Sequence, residues 1–496
     1  MTDDGLASAS SSDRARYRRK VQRCLDTLAQ MLAEGSFVAQ PPRIGLEIEL
    51  NLIDEQMRPS MTNAEVLESL DDPSFTTELG RHNLELNVPP RRLDGESLFE
   101  LDLELRTFLS DADTKAGEWG SRLALIGILP TLGAEHFEAK WLTANPRYLT
   151  LNDKILAERG EHTLLTMDGV ALPGRQPERL RAYSDTILPE AACTSMQLHL
   201  QVSPDKFAAY WNAAQCLAGV QLAVAANSPF LLAKALWHET RIPLFEQSTD
   251  TRPEELKNQG VRPRVWFGER WINSIYDLFE ENVRYFPGLL TDTDPEDPLD
   301  TLASGRTPKL TELRMHNGTV WRWNRPVYDV VDDQPHLRVE NRVLPAGPTV
   351  ADMVANAAFF YGAQRALAEA ERPVWTAMSF QAAEDNMHRG ARFGMDAELY
   401  WPGLGCVPPD ELVLRELLPL AAEGLAAANV DATVADRYLG IIEQRCLTRR
   451  NGAAWQRATV DKLERAGMDR EHALRAMLAD YVGLMHGGDP VHEWPV

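Results

Sequence analysis

The first patterned stretch of the chain is helical. Residues 13–34 place Val21, Leu25, Leu28 and Leu32 on one face and Arg and Lys on the other, and Gly35 ends the helix. Ahead of it, residues 1–12 are small, polar and serine-rich, a composition that predicts disorder. Three later segments change to a period of two. Residues 44–52 alternate apolar with acidic or polar side chains, giving a strand with one apolar and one acidic face. Residues 84–88 repeat the alternation and are expected to stop at Pro89-Pro90, and residues 195–202 form the third such strand. The continuous apolar run 123–129 predicts a buried strand. Two further strands are expected around 319–323 and 337–344. Helices are expected at 64–70, at 94–118, over 205–240 with a break near 227–229, and from the Thr349 cap to about Glu371. Residues 286–310 predict a loop; beyond 371 the chain is mostly helical, with breaks at 402–409 and 450–453. Strands interleaved with helical hairpins at irregular spacing predict an α+β fold rather than a regular βαβ winding.

Composition narrows the function. The chain has 496 residues, 44% of them hydrophobic, enough for a large core. Its net charge of −22, from 51 basic and 73 acidic residues, argues against nucleic acid or an anionic membrane surface as partner. An anionic substrate stays compatible, because bound cations reverse the local field. The five cysteines (Cys24, Cys193, Cys216, Cys406 and Cys446) form no CxxC pair. They point to a reducing, cytoplasmic setting rather than a disulfide framework or zinc ribbon. The N-terminus has no apolar signal region, and the longest apolar stretch, 213–226, carries Gln215 and Gln221 and is too short to span a bilayer. Neither GxGxxG nor GxxxxGK[ST] occurs.

The chemistry lies in acidic residues on strand faces. Glu47 and Glu49 point to the same side of one strand and repel unless a cation lies between them. Hard oxygen ligands of this kind suit Mg²⁺ or Mn²⁺. Glu78 and Glu85 follow seven apart, His199 occupies the polar phase of its strand, and Glu340 shares a phase with Arg338 and Arg342. Each has a plain alternative: a solvated edge, a surface glutamate, a satisfied histidine, a charge-paired strand.

Together, ExE, E-x6-E, a strand histidine and E-x-R form an ordered set, and that order resembles the glutamate–cysteine ligase superfamily, most closely its bacterial second group of carboxylate–amine ligases. The resemblance rests on Gly45-Leu-Glu-Ile-Glu49, the Glu78–Glu85 pair, Thr194-Ser-Met-Gln-Leu-His199, Arg338-Val-Glu-Asn-Arg-Val343 and Trp321-Arg-Trp-Asn-Arg-Pro326, and it spans about residues 40–370. It departs in the long gap between Arg147-Tyr148 and His199, in the insert 240–318 and in the tail 372–496. What the resemblance implies is a curved, mainly antiparallel sheet forming a funnel, as in glutamine synthetase. The implied reaction is ATP-dependent amide formation, by default γ-glutamyl, through an acyl phosphate. Glu47, Glu49, Glu78, Glu85, His199 and Glu340 would hold two or three Mg²⁺ or Mn²⁺ ions. Arg342 would touch the transferring phosphoryl group. Arg325 and, with less support from the family element, Arg322 would anchor the nucleotide or substrate. The expected organisation is a disordered start and helix over 1–36, a catalytic α+β core over 37–349 and a mostly helical region over 350–496. The expected partners are small-molecule acid and amine substrates, with a homo-oligomer left open. Two rival readings are a catalytically degenerate ATP or amino-acid sensor and a metal-dependent amide hydrolase. Full acidic positions weigh against the first, and the lack of a histidine cluster against the second.

Overall fold

Alternating residues find their partners in one antiparallel sheet. The computed structural model of the protein describes residues 11–38 and 42–496. Seven strands build the sheet: β1 (Arg43–Ile53), β2 (Phe75–Thr77), β3 (Asn83–Arg92), β4 (Arg122–Ala124), β5 (Ser195–Gln201), β6 (Asn324–Val331) and β7 (Gln334–Pro345). Their order is β6-β7-β5-β1-β3-β2, with β4 on the far end of β1, and every pairing is antiparallel. The sheet curls into a half-barrel, as the α+β reading expected.

The apolar phase of each strand builds the core: Leu46, Ile48 and Leu50 of β1, Met196 and Leu198 of β5, and Val339 and Val343 of β7 are buried. Against it pack two apolar helices, α1 (Phe207–Ala225) and α2 (Val350–Ala368), nearly every residue of which is buried. From α2, the Tyr361 hydroxyl donates to the carbonyls of Gly45 and His199, at 3.0 and 3.1 Å, fixing the backs of β1 and β5. The tail joins the same core. Arg445 pairs with Asp352 of α2 at 2.8 Å, both buried, and the apolar cluster runs from Tyr17 to Trp494. We keep the division at 36 and 349 as a proposal about chain organisation.

Several expectations shift where tertiary partners replace the sheet. The expected disorder of 1–12 falls largely outside the described residues, and a helix begins at Ser11 and ends at Glu34. β3 does not stop at Pro89-Pro90 but continues to Arg92. The prolines, which cannot donate to the ladder, face a register shift between Ile44 and Leu46. Of the run 123–129, only the residues to Ala124 pair with β1. Beyond it the backbone is satisfied elsewhere: Tyr481 Oη donates to the Leu125 carbonyl and the Gly127 amide to that of Asn227. The expected 205–240 helix ends at Ala225, and a tight hairpin precedes a separate helix, Arg241–Ser248. Trp321-Arg322 belongs to a small parallel ladder with Val265-Trp266, and the sheet strand begins after it, at Asn324. A short helix, Pro298–Ala303, interrupts the expected loop 286–310. The helices Pro146–Arg159 and Ile275–Tyr285 and the hairpin of Thr163–Asp168 with Arg179–Ser184 were not foreseen.

Candidate active site

Register assembles the site. Because side chains alternate with period two, cross-strand partners on one face form rows. One row runs Gly45–His199–Glu340–Arg325 across β1, β5, β7 and β6. The next places Glu47 between Gln197 and Asn87, and a third sets Glu49 opposite Glu85. Placing two carboxylates in direct cross-strand register is unfavourable without a cation. The E-x-E and E-x-R spacings carry charge from row to row on one face, as alternation requires.

The sequence-predicted acids fall into two neighbouring groups. Ligand atoms of Glu47, His199 and Glu340 all lie within 4.8 Å of one another, and so do those of Glu49, Glu78 and Glu85. In the first group, His199 Nε2 is 3.0 Å from Glu47 Oε1 but makes no aligned hydrogen bond. Arg338 Nε donates to His199 Nδ1 at 3.1 Å. An ion at Nε2 needs that nitrogen's lone pair, so Arg338 must then leave Nδ1. Asp329 Oδ2, already 3.1 Å from Arg338 Nη1, is there to hold it. Glu340 is buried and accepts from Arg325 Nε and Nη2 at 2.8 and 2.9 Å and from Arg342 Nη1 at 2.7 Å. Burial opposes its charge, but Arg325 and Arg342 win and hold its carboxyl below the usual range. Glu47 is likewise lowered: burial opposes the charge and His199 outweighs it.

In the second group, Glu49 Oε2 accepts the Ser195 amide at 2.6 Å and Oε1 accepts Gln197 Nε2 at 3.0 Å. Burial and Glu85 nonetheless push the Glu49 carboxyl up to about 7, against the pull of Arg342. Glu78 is raised well above the usual range by burial, Glu85 and Glu49. The loop that carries Glu78 is held from outside. Tyr148 Oη donates to the Thr77 carbonyl at 2.8 Å, and Asn63 Nδ2 donates to the carbonyls of Gly80 and Asn83 at 3.3 and 3.2 Å.

The donor set fits hard divalent cations: five carboxylates and one imidazole, with His199 Nε2 and Gln197 Oε1 buried and lacking hydrogen-bond partners among the described residues. A cavity of about 470 Å³ opens beside the first group. Glu47, His199, His336 and Arg338 lie on its polar wall and Val38 and Val331 on its apolar one. Its size lies within the usual range for small-molecule sites.

Arg325 and Arg342 reach this cluster, whereas Arg322 does not. Arg322 lies before the sheet strand, fully buried, with Nη2 3.0 Å from Glu281 and its guanidinium 4.5 Å over the Trp266 ring. Two site residues went unread in the sequence. Gln197 stands between the two groups. Glu190, on the short helix Leu188–Ala191, has its carboxyl pushed up to about 8 by burial and Glu49, with Arg342 opposing. A lone acid in the otherwise apolar run 187–193, just before β5, was the available signal. Cys193, just before β5, is partly buried, and desolvation raises its thiol well above the ordinary range.

Solved structures share the fold. The structure resembles glutamate–cysteine ligase from Francisella tularensis, solved in complex with AMP, at a TM-score of 0.53 and 13% identity, over 93% of this chain and 96% of that one. It also resembles a bifunctional glutathione synthetase from Pasteurella multocida at 0.51 and 11% identity, over 93% of this chain and 55% of that one. At these identities the likeness is one of fold. No curated protein sequence matches the chain. The profile of glutamate–cysteine ligase family 2 matches residues 43–475, nearly the whole chain, so the protein belongs to that family and is an ATP-dependent carbon–nitrogen ligase.

Proposed function

We propose that the protein joins the side-chain carboxylate of glutamate to an amine through an acyl phosphate, releasing ADP and phosphate. The observation that carries this reading is the pair of ligand triads on one sheet face, Glu47–His199–Glu340 and Glu49–Glu78–Glu85. A carboxylate and a triphosphate repel each other, and divalent cations held by these triads would neutralise the charge that develops on transfer. The cavity of about 470 Å³ beside Glu47 and His199 would hold the nucleotide, with Val38 and Val331 offering apolar surface for its base. The AMP in the Francisella ligase supports a nucleotide here. Arg342 reaches the transferring phosphoryl oxygens, where a planar guanidinium is favoured. Arg325 fixes Glu340 with a two-point fork and so sets the orientation of that ligand.

Oxygen-18 in the glutamate carboxylate tests the route. Label in the released phosphate, with ADP as co-product, is the expected result. AMP, or label retained wholly in the carboxyl product, would exclude the acyl phosphate. ATP-independent solvent incorporation would favour a hydrolase, and stoichiometric ATP binding without turnover a sensor.

A further inference from the structure

Another cavity, of about 630 Å³, lies apart from the ligand triads and shares no lining residue with the cavity beside Glu47 and His199. Helix Ser11–Glu34 brings Arg14 and Arg18 to it, one turn apart and so on one face. Helix Pro146–Arg159 brings Lys154, and the last turn of helix Ile275–Tyr285 brings Arg284. Against these four cations the lining has one carboxylate, Glu158, which already faces Arg264 at 3.7 Å. Among the described residues, the side chains of Arg18 and Lys154 make no hydrogen bond or close ion pair, and Arg284 has only the Tyr285 ring, 5.8 Å away. Such a cluster is unexpected in a chain where 73 acids outnumber 51 bases and could pair them. His316, from helix Thr311–Asn317, also lines the cavity and is 3% exposed. Burial pushes its pKa down to about 4, so the ring is neutral near pH 7. Its Nε2 lies 2.9 Å from the Asn282 carbonyl oxygen, so Nε2 carries the proton and Nδ1 the lone pair. Nδ1 is buried and has no partner among the described residues, which is costly for an acceptor.

We propose that this cavity binds a small phosphomonoester that also carries hydroxyl groups, with its phosphate among Arg14, Arg18, Lys154 and Arg284 and a hydroxyl donating to His316 Nδ1. Four cations exceed what a single carboxylate ligand would balance. A phosphomonoester carries about −1.5 to −2 charges near pH 7 and offers three acceptor oxygens. Guanidinium groups match those oxygens two at a time. The phosphate alone does not complete the site, because a neutral His316 accepts at Nδ1 and needs a donor. A hydroxyl supplies one, and the cavity has the size usual for a small organic molecule. Sugar phosphates and mononucleotides share this chemistry.

Titration calorimetry of the full chain in EDTA tests the site, since chelation removes the cations that the ligand triads would need to hold a nucleotide. Ribose 5-phosphate and AMP are the probes and inorganic phosphate is the reference. One equivalent of either probe should bind, more tightly than inorganic phosphate. Tighter ribose 5-phosphate marks the site as one for sugar phosphates, and tighter AMP as one for mononucleotides. Reversing two lining cations, Arg18→Glu with Lys154→Glu, should weaken the bound probe about tenfold or more. ATP turnover without probe should stay unchanged, because neither residue belongs to the triads. His316→Gln keeps a donor for the Asn282 carbonyl and removes the Nδ1 acceptor. The ratio of probe affinity to inorganic phosphate affinity should then fall about fivefold. Because that readout is a ratio within one variant, partial loss of folded protein does not obscure it. No binding of either probe at millimolar concentration, binding that the double charge reversal leaves intact, or an unmoved ratio in His316→Gln would each overturn the proposal.

Discussion

Arg325 covers both oxygens of Glu340 with its Nε and Nη2, at 2.8 and 2.9 Å, and Arg342 adds a third donor at 2.7 Å. The two arginines therefore do different work on one carboxylate. Arg325 holds Glu340 by a fork, and Arg342 touches one oxygen and has donors left for phosphate. Arg342→Lys keeps the charge and loses the planar fork, so kcat should fall by about 10²–10³ with a smaller change in ATP affinity. Arg325→Lys should instead raise the Mg²⁺ concentration required, by about 10–100-fold, because it frees Glu340, a proposed ligand, to turn. Initial-rate phosphate assays with Mg²⁺ and ATP titrations check both. Near-normal turnover in Arg342→Lys would remove Arg342 from the chemistry.

The raised carboxyls link metal, pH and stability. Glu49 at about 7 and Glu190 at about 8 both lie above the ordinary value of 4.5. A group whose folded pKa is raised stabilises the fold fully below its unfolded pKa and loses that contribution as pH climbs through the folded value. The metal-free protein should therefore lose this contribution between pH 4.5 and about 8. Divalent cations held by the ionised carboxylates, as proposed above, would reverse the loss. The rise in Tm on replacing EDTA with Mg²⁺ should be several degrees larger near pH 8 than near pH 5, and Glu49→Gln should shrink it. An increment that does not vary with pH would contradict this account.

Arg322 should behave as a core residue. It and Glu281 are buried together, 3.0 Å apart, with Asn282 Oδ1 accepting from Arg322 Nε at 3.1 Å. Removing one partner of a buried pair leaves the other charge uncompensated, at a cost of about 3–5 kcal/mol. Arg322→Ala should lower denaturant stability by that order. Activity per folded molecule should be kept, and ATP affinity should not change. A selective loss of ATP affinity at full stability would return Arg322 to the site.

Alternation made the ligand face legible because period two fixes a side chain's face from sequence alone. Glu47, Glu49, Glu85, His199 and Glu340 were found that way, and the family order tied them together. Alternation does not say which strands are neighbours. The separation into two triads therefore had to come from the registers Glu49↔Glu85 and His199↔Glu340. Arg322 was considered beside Arg325 because both lie in the Trp321–Pro326 element, with less support from the family pattern. In space that element crosses from a parallel ladder into the sheet between Arg322 and Asn324. Glu190 and the run after Ala124 were missed for the same physical reason: their environment is made by residues far away in the chain. Leu125 backs onto Tyr481, and the Glu190 carboxyl is raised by burial and the charge of Glu49.

Gln197 provides the last test, because it touches a proposed ligand without being one of the acids. Its Nε2 holds Glu49 Oε1 at 3.0 Å while the Ser195 amide holds the other oxygen at 2.6 Å, so Glu49 is aimed from both sides. The backbone donor cannot be removed by substitution, whereas the side-chain donor can. Gln197→Ala should leave the sheet intact, since its neighbours Met196 and Leu198 pack on the opposite, apolar face. It frees one Glu49 oxygen to turn, and loss of such an outer partner lowers metal affinity about 10–100-fold. Activity should therefore return toward the wild-type rate as Mg²⁺ is raised. Gln197→Glu should do worse at every Mg²⁺ concentration, because it sets another carboxylate against Glu49, where burial and Glu85 already disfavour charge. Titrating Mg²⁺ against phosphate release in both variants decides the matter. Failure of high Mg²⁺ to restore Gln197→Ala, with the fold intact by thermal melting, would show that Gln197 acts on substrate rather than through Glu49.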